Sequence, residues 1–427
     1  MKIKSFLLKS KNIERDSYFW NMTGGLLTAF QSVIMLMILT RVMGLKEAGI
    51  FTIAVADANL FLTIGKYGMR NFQVSDVREQ FSFEEYRASR IFTSMLMIIV
   101  SVGYVLYVGQ RNGYTFEKSI TIIWMCLLKF ISAVEDVYHG LYQQKNRLDM
   151  AGKELTIRLG LTIMIFGVTL FILHNLSAAI IVATFVSFSL FLVFNKWMFV
   201  EFRDNSHGID MKKVYLLLRL CFPLFVGSFL SFYIGNAPKY AIDAMLTDEL
   251  QACYGFIAMP VFVISLLNGF VFNPILHKIS ILWSEKKIKK FNKTVFQQMG
   301  IIAIITLICL SGAYLLGIPV LSWLYNTDLT PYKTELLILL LGGGFLGLSG
   351  FLNTINTIIR QQRLLMWGYG IVSIMAYLFS NRVVEEYEMY GAAMLYMVLM
   401  AVLCVVFFLF LIYGIGSKQG MYKKNVQ

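Results

Sequence analysis

The sequence predicts an all-α polytopic membrane protein with about twelve transmembrane helices, arranged as two six-helix pseudo-repeat bundles around a central cavity. Three observations predict it. The 427 residues are 57% hydrophobic and only 15% charged. The apolar residues fall in runs of about 18 or more, the length that crosses a hydrocarbon core at a rise of about 1.5 Å per residue. No run alternates with the period of a strand, and open strands cannot cross lipid, so the runs are helices.

The runs place spans at 17–39, 47–66, 88–109, 118–142, 155–174, 176–198, 214–237, 249–273, 295–318, 333–358, 364–380 and 390–413. Basic residues test that assignment. Of the 38 Lys and Arg, 30 fall in one alternating set of connecting segments, including the N-terminus, 66–90, 145–158, 196–219 and 278–293. Seven fall in the other set, and Lys129 alone lies mid-span. Cytoplasmic loops carry this excess, so both termini are expected in the cytoplasm of a cell whose inner or plasma membrane holds the chain. The net charge of +13 is explained by that topology and by anionic lipid head groups, with no nucleic-acid partner. The first apolar run is too long for a signal peptide and no small-residue cleavage site follows it, so it reads as an uncleaved start. Segment 70–90 mixes Phe72, Phe81, Phe83 and Tyr86 with charges and reads as an amphipathic element at the cytoplasmic interface.

The spans divide six and six about the polar stretch 201–213. The expected domains are therefore an N-terminal bundle at 1–200, a cytoplasmic linker at 201–213 and a C-terminal bundle with a short tail at 214–427. Ala48–Ala54 at the start of span 2 recurs loosely as Ala252–Ala258 at the start of span 8, and an even number of spans per half gives parallel repeats. All six prolines lie in the second half, and four of them fall in or at the ends of spans 7 and 8, as gate-bending kinks or static ones. The five Cys sit inside spans without CxxC spacing, and the four His are dispersed, so neither disulfides nor a metal site nor a cofactor is expected. External loops of about ten residues leave little room for an extramembrane active site, and the chain is not expected to be an enzyme.

Charged side chains are costly in hydrocarbon and mark cavities or paired partners. Span 4 holds the densest set. At 100° per residue, Lys129, Ser132, Asp136, His139, Gln143 and Arg147 share one arc, with Glu135 beside it. Two readings stand. In a cavity wall, Lys129 and Arg147 meet an anionic head group while Asp136 or Glu135 carries a proton or a cation. In a lock, Lys129 pairs with Asp136 or Glu135, but a lock needs two charges and not six polar groups. Span 7 aligns Lys239, and span 10 aligns Asn353, Asn356 and Arg360, as further substrate-facing candidates. Asp57 in span 2 is a third candidate for the coupling ion, or else a hydrogen-bonded structural Asp.

Several local patterns resemble one family. They are Asn21-Met22-Thr23-Gly24, Arg41-Val42-Met43-Gly44, the run Gly65–Asp76, and Glu135-Asp136-Val137-Tyr138-His139-Gly140-Leu141-Tyr142-Gln143 followed by Arg147 and Arg158. Span 7 adds Phe222-Pro223-Leu224, Asn236 and Lys239-Tyr240. Together they resemble the MOP exporter superfamily and, within it, the Wzx-type polysaccharide flippases. The resemblance implies a flippase that moves a lipid-linked oligosaccharide, on an undecaprenyl-pyrophosphate carrier, from the cytoplasmic to the outer leaflet for cell-surface polysaccharide biosynthesis. It implies alternating access, coupling to H+ or Na+, and polymerase and glycosyltransferases as partners. Two alternatives remain: a MATE-like multidrug exporter, which would favour acidic over basic cavity residues, and an O-antigen polymerase or ligase, which would need a long external loop.

Overall fold

A computed structural model describes residues 2–76, 79–202 and 208–424. Among them every regular element is helical. The elements are α1 (Lys2–Leu8), α2 (Ile13–Met43), α3 (Leu45–Lys66), α4 (Met69–Ser75), α5 (Phe83–Asn112), α6 (Phe116–Gln144), α7 (Leu148–Leu173), α8 (Leu176–Phe199), α9 (Met211–Met245), α10 (Asp248–Ser284), α11 (Ile288–Gly312), α12 (Ile318–Tyr325), α13 (Lys333–Ile358) and α14 (Gln362–Lys424). Residues 203–207 of the expected linker, His207 among them, and Arg78 of the amphipathic segment lie outside the described residues.

Helix boundaries follow polar caps. The side chains of Asn12, Thr115, Asn175 and Thr247 accept from first-turn amides of α2, α6, α8 and α10, and Ser82 with Glu85 forms a reciprocal box at α5. Within segment 70–90, α4 is followed by a turn built on Asp76. Its carboxylate accepts from the amides of Gln80 and Phe81 and from the Tyr86 hydroxyl.

Ten helical segments among the described residues are long and apolar enough to cross a membrane. Two more bring the total to the number predicted. α6 is long enough as well, but every 18-residue stretch of it holds at least three charged side chains, so it is less apolar than those ten. α14 is two helices, 362–387 and from 389 onward, joined at Glu388, whose φ of 47° is non-helical. α9 and α10 run on through Pro223, Pro238 and Pro260. The irregular turn falls elsewhere: a π-helical turn, Ala313–Gly317, precedes Pro319, which cannot donate a backbone hydrogen bond. All five cysteines are free thiols.

The chain forms two compact units, Met1–Phe229 and Leu230–Gln427. In the first, α2 packs along α7, and α6 is enclosed by α3, α4, α5, α7 and α8. The α2–α7 approach depends on Gly152, where a Cβ would lie 2.6 Å from the backbone of Trp20 and Asn21. In the second, α13 is the enclosed helix, flanked by α10, α11 and α14. Its run Gly342-Gly343-Gly344 turns a bare backbone to three neighbours in succession. A Cβ at 342 would meet the Tyr396 ring at 2.7 Å, one at 343 would meet Val261 at 3.0 Å, and one at 344 would collide with Thr306.

Candidate functional site

Because α6 is enclosed, its polar arc meets protein from neighbouring helices and its acidic residues are buried. Glu135 and Asp136 are adjacent in sequence, yet a 100° turn sends them to different partners. Glu135 faces α7. Arg158, 1% exposed, holds it as a fork, with Nε donating to Oε1 at 2.7 Å and Nη2 to Oε2. The remaining Nη1 donates to the Ser187 hydroxyl of α8 at 2.8 Å. One turn on, His139 Nε2 lies 2.7 Å from Oε2 of Glu154, also on α7, and 3.9 Å from Glu135.

Asp136 faces α5 and α3. Arg90, fully buried, donates from Nη2 to Asp136 Oδ2 at 2.8 Å and from Nη1 to the Gly65 carbonyl at 2.8 Å, which Thr93 also reaches. Two more cations approach the other oxygen, Arg70 at 3.5 Å and Lys66 at 3.8 Å. Their side chains remain 31% and 42% exposed, and Arg70 also donates to Gln143 at 3.1 Å. One carboxylate thus gathers three cations, two of them open to a further partner.

The Lys129 ammonium donates to Gln31 of α2 at 3.3 Å, and the nearby charges acting on it, Lys66 and Arg158, share its sign. Neither of the lock pairings, Lys129 with Asp136 or with Glu135, is formed among the described residues. α6 stops at Gln144, so Arg147 leaves the arc and sits at the N-cap of α7. There it donates to Asp149 at 2.9 Å and to the Leu8 carbonyl at 2.7 Å. Lys153 completes this fastening of the N-terminal segment, donating to the carbonyls of Phe6 and Lys9 and to the Ser10 hydroxyl. Leu7 is buried beside them against Leu141, Met150, Phe194 and Met198.

Asp57 is fully buried in α3. In the second unit, Lys239 on α9 is partly buried and makes no ion pair among the described residues. Asn353 is partly buried on α13, and its carbonyl accepts from Thr357. Asn356 is fully buried, and its amide donates to the carbonyls of Leu352 and Phe407, both at 2.9 Å, tying α13 to α14. Arg360 is exposed just past the end of α13, with a φ of 64°.

The structure therefore brings Lys129, Glu135 and Asp136 into one polar interior and adds partners to which the sequence assigned no site role: Lys66, Arg70, Arg90 and Glu154. Glu154 and Arg158, four residues apart on α7, carried a signal, since that spacing puts an acid and a base on one helix face. Starting span 5 at 155 instead of 148 concealed it.

Residues 15–280 match the family model described as "Polysaccharide biosynthesis protein", well over half of the chain. The chain belongs to that family. The matched stretch of the polysaccharide biosynthesis protein includes α6 and every partner of its arc. It is similar to the capsular polysaccharide biosynthesis protein CapF of Staphylococcus aureus, 23% identical over 379 residues, which are 86% of this chain and 92% of that one. Its fold is that of the MOP superfamily. It matches the lipid II flippase MurJ in an inward closed conformation with a TM-score of 0.70 at 13% identity, over 90% of this chain and 86% of MurJ. It matches an inward-facing multidrug-resistance MATE transporter with a TM-score of 0.67 at 11% identity, over 92% of this chain and 96% of that one. The family member is a multi-pass membrane protein.

Proposed function

We propose that this protein is a flippase that carries a lipid-linked oligosaccharide from the cytoplasmic to the outer leaflet by alternating access, for assembly of a cell-surface polysaccharide. The observation that carries this reading is the sign of the buried arc. Lys66, Arg70, Arg90, Lys129 and Arg158 stand against Asp136, Glu135 and Glu154, so cations outnumber carboxylates five to three. A cationic drug would be repelled by such a surplus, whereas a pyrophosphate diester is drawn to it. Arg70 offers a planar fork and Lys66 and Lys129 offer mobile ammonium groups, and both kinds of donor suit phosphate oxygens. Family membership and the MurJ-like fold support the same reading.

In this reading the carrier is undecaprenyl pyrophosphate and the membrane is the inner or plasma membrane, with both termini in the cytoplasm. The halves are 1–200 and 214–427, joined by a cytoplasmic linker at 201–213. Transport draws on a proton or sodium gradient, and glycosyltransferases and a polymerase act before and after it. Lys239, Asn353 and Arg360 serve as further substrate contacts in the second half. The test is a deletion strain complemented with variants. Loss of surface polysaccharide with accumulation of the lipid-linked precursor, restored by the wild type but not by Lys129→Ala or Arg70→Ala at normal protein levels, is expected. Normal export by both variants would overturn the assignment of the arc to the head group.

A further inference from the structure

The acidic residues of the arc are not equivalent in their partners. Both Glu135 oxygens are taken by the Arg158 fork, so that pair is neutral and closed. Asp136 is held by Arg90. Glu154 differs. It is 3% exposed, its Oε2 lies against His139, and its buried Oε1 has no hydrogen-bond partner. The closest approach of a cation to it is Arg158 Nε at 3.8 Å, and that guanidinium is already committed to Glu135. A bare buried carboxylate with an empty oxygen is costly, and a hydrogen on that oxygen removes both faults at once. Each Glu135 oxygen keeps a lone pair beyond its Arg158 bond, and the two carboxyl groups lie within hydrogen-bonding reach, so an acid proton on Glu154 has Glu135 as acceptor. His139 then donates Nε2–H to Oε2 as a neutral ring.

A small cavity with room for about one water molecule opens on the cluster, bordered also by Tyr138, Tyr142 and Asn195. The titratable and charged groups around Glu154 are Glu135, His139 and Tyr142 from α6 and Arg158 from α7, with Asp136 and Arg70 acting on His139. Among the described residues α8 contributes the polar Ser187 and Asn195 to this cluster, and no charge. A divalent cation fits poorly, because it would sit against the buried Arg158 guanidinium that Glu135 already holds.

We propose that Glu154, braced by His139 and the Glu135–Arg158 pair, is a buried proton-binding site, loaded in this conformation and emptied in another state of the transport cycle. Its link to transport rests on the flippase reading above. The test is infrared difference spectroscopy of the full-length protein in lipid vesicles, between acid and alkaline buffer. The wild type should show the carbonyl stretch of a protonated carboxylic acid that disappears as pH rises. Glu154→Gln, which mimics the loaded acid, should abolish the band, and Asp136→Asn, which leaves the Glu135–Arg158 pair in place, should keep it. If Glu154→Gln is not recovered in membranes, Glu154→Asp carries the test, because pulling the acid away from His139 must shift the band.

Absence of the band, its persistence in Glu154→Gln, an unmoved band in Glu154→Asp, or stoichiometric Zn2+ or Na+ binding in its place overturns the proposal. Flipping of a fluorescent lipid-linked oligosaccharide in the same vesicles separates the two readings. Wild-type vesicles that show the titrating band but move no lipid refute the flippase assignment alone. Vesicles that move lipid with no Glu154 band refute the proton site alone. With both intact, Glu154→Gln should lose the acceleration that an imposed pH gradient gives the wild type.

Discussion

Replacing Arg158 with Leu removes the guanidinium from a site where it is 1% exposed and makes three charge-assisted hydrogen bonds, two to Glu135 and one to Ser187. Glu135 would be left buried and unpaired among α6, α7 and α8. Truncating one partner of a buried pair typically costs about 3–5 kcal/mol, mostly as the penalty on the charge left behind. Removing both charges should cost far less, because two apolar side chains of similar volume pack where the pair stood. A double-mutant cycle of Arg158→Leu, Glu135→Leu and the pair should therefore show a coupling of about 5 kcal/mol or more, since two single losses of about 3–5 kcal/mol each collapse to a small one in the double variant. Equilibrium unfolding in mixed micelles by titration with a denaturing detergent measures it. If the double variant loses the sum of the two single losses, or Arg158→Leu is as stable as the wild type, the neutral closed pair is refuted. Glu154 would then no longer stand apart from Glu135 as the carboxylate open to a proton.

Other expectations follow from the same contacts. Lys153→Met removes three donors from the N-terminal segment, at about 1–3 kcal/mol for carbonyls and a hydroxyl left without partners, and limited proteolysis should then cut near residues 9–12 faster than in the wild type. Asn356→Ala gives up both links that fasten α13 to itself and to α14, and thermal unfolding in detergent should report a loss of about 1–3 kcal/mol. Gly344→Val drives a branched side chain into Thr306, and overpacking of about 1–3 kcal/mol should lower yield and melting temperature, partly restored by Thr306→Ala. Arg147→Ala should loosen the N-terminal segment while leaving export closer to normal than Arg70→Ala does, read from surface polysaccharide at matched protein levels.

The number of spans and the polar face of α6 were legible because both are periodic along one chain. Apolar runs announce spans regardless of what packs beside them, and a 100° step places Lys129, Asp136 and His139 together without knowledge of neighbours. What the face pairs with was not legible. Arg90 and Arg70 counted as interface cations in the topology argument, since sequence gives no depth for a charge near a helix end, yet Arg90 is fully buried on Asp136. Arg147 lay on the predicted arc only if the helix continued past Gln144, and helix ends are the weakest part of such a reading. The break at Glu388 shows the reverse: a gap between apolar runs correctly separated two spans, although helical structure resumes at once on either side.

The fastening of the N-terminal segment has a consequence for biosynthesis. Phe6, Leu8, Lys9 and Ser10 leave the ribosome more than a hundred residues ahead of the side chains that receive them, Arg147, Asp149 and Lys153. Until α7 has been threaded into the bilayer, the α1 segment has no berth and must wait at the membrane surface, where its lysines can rest on anionic lipid. Docking of α1 thus reports that α2 to α7 have been delivered, and a bulky insertion beside α1 would interfere with that late step while leaving the earlier insertions untouched.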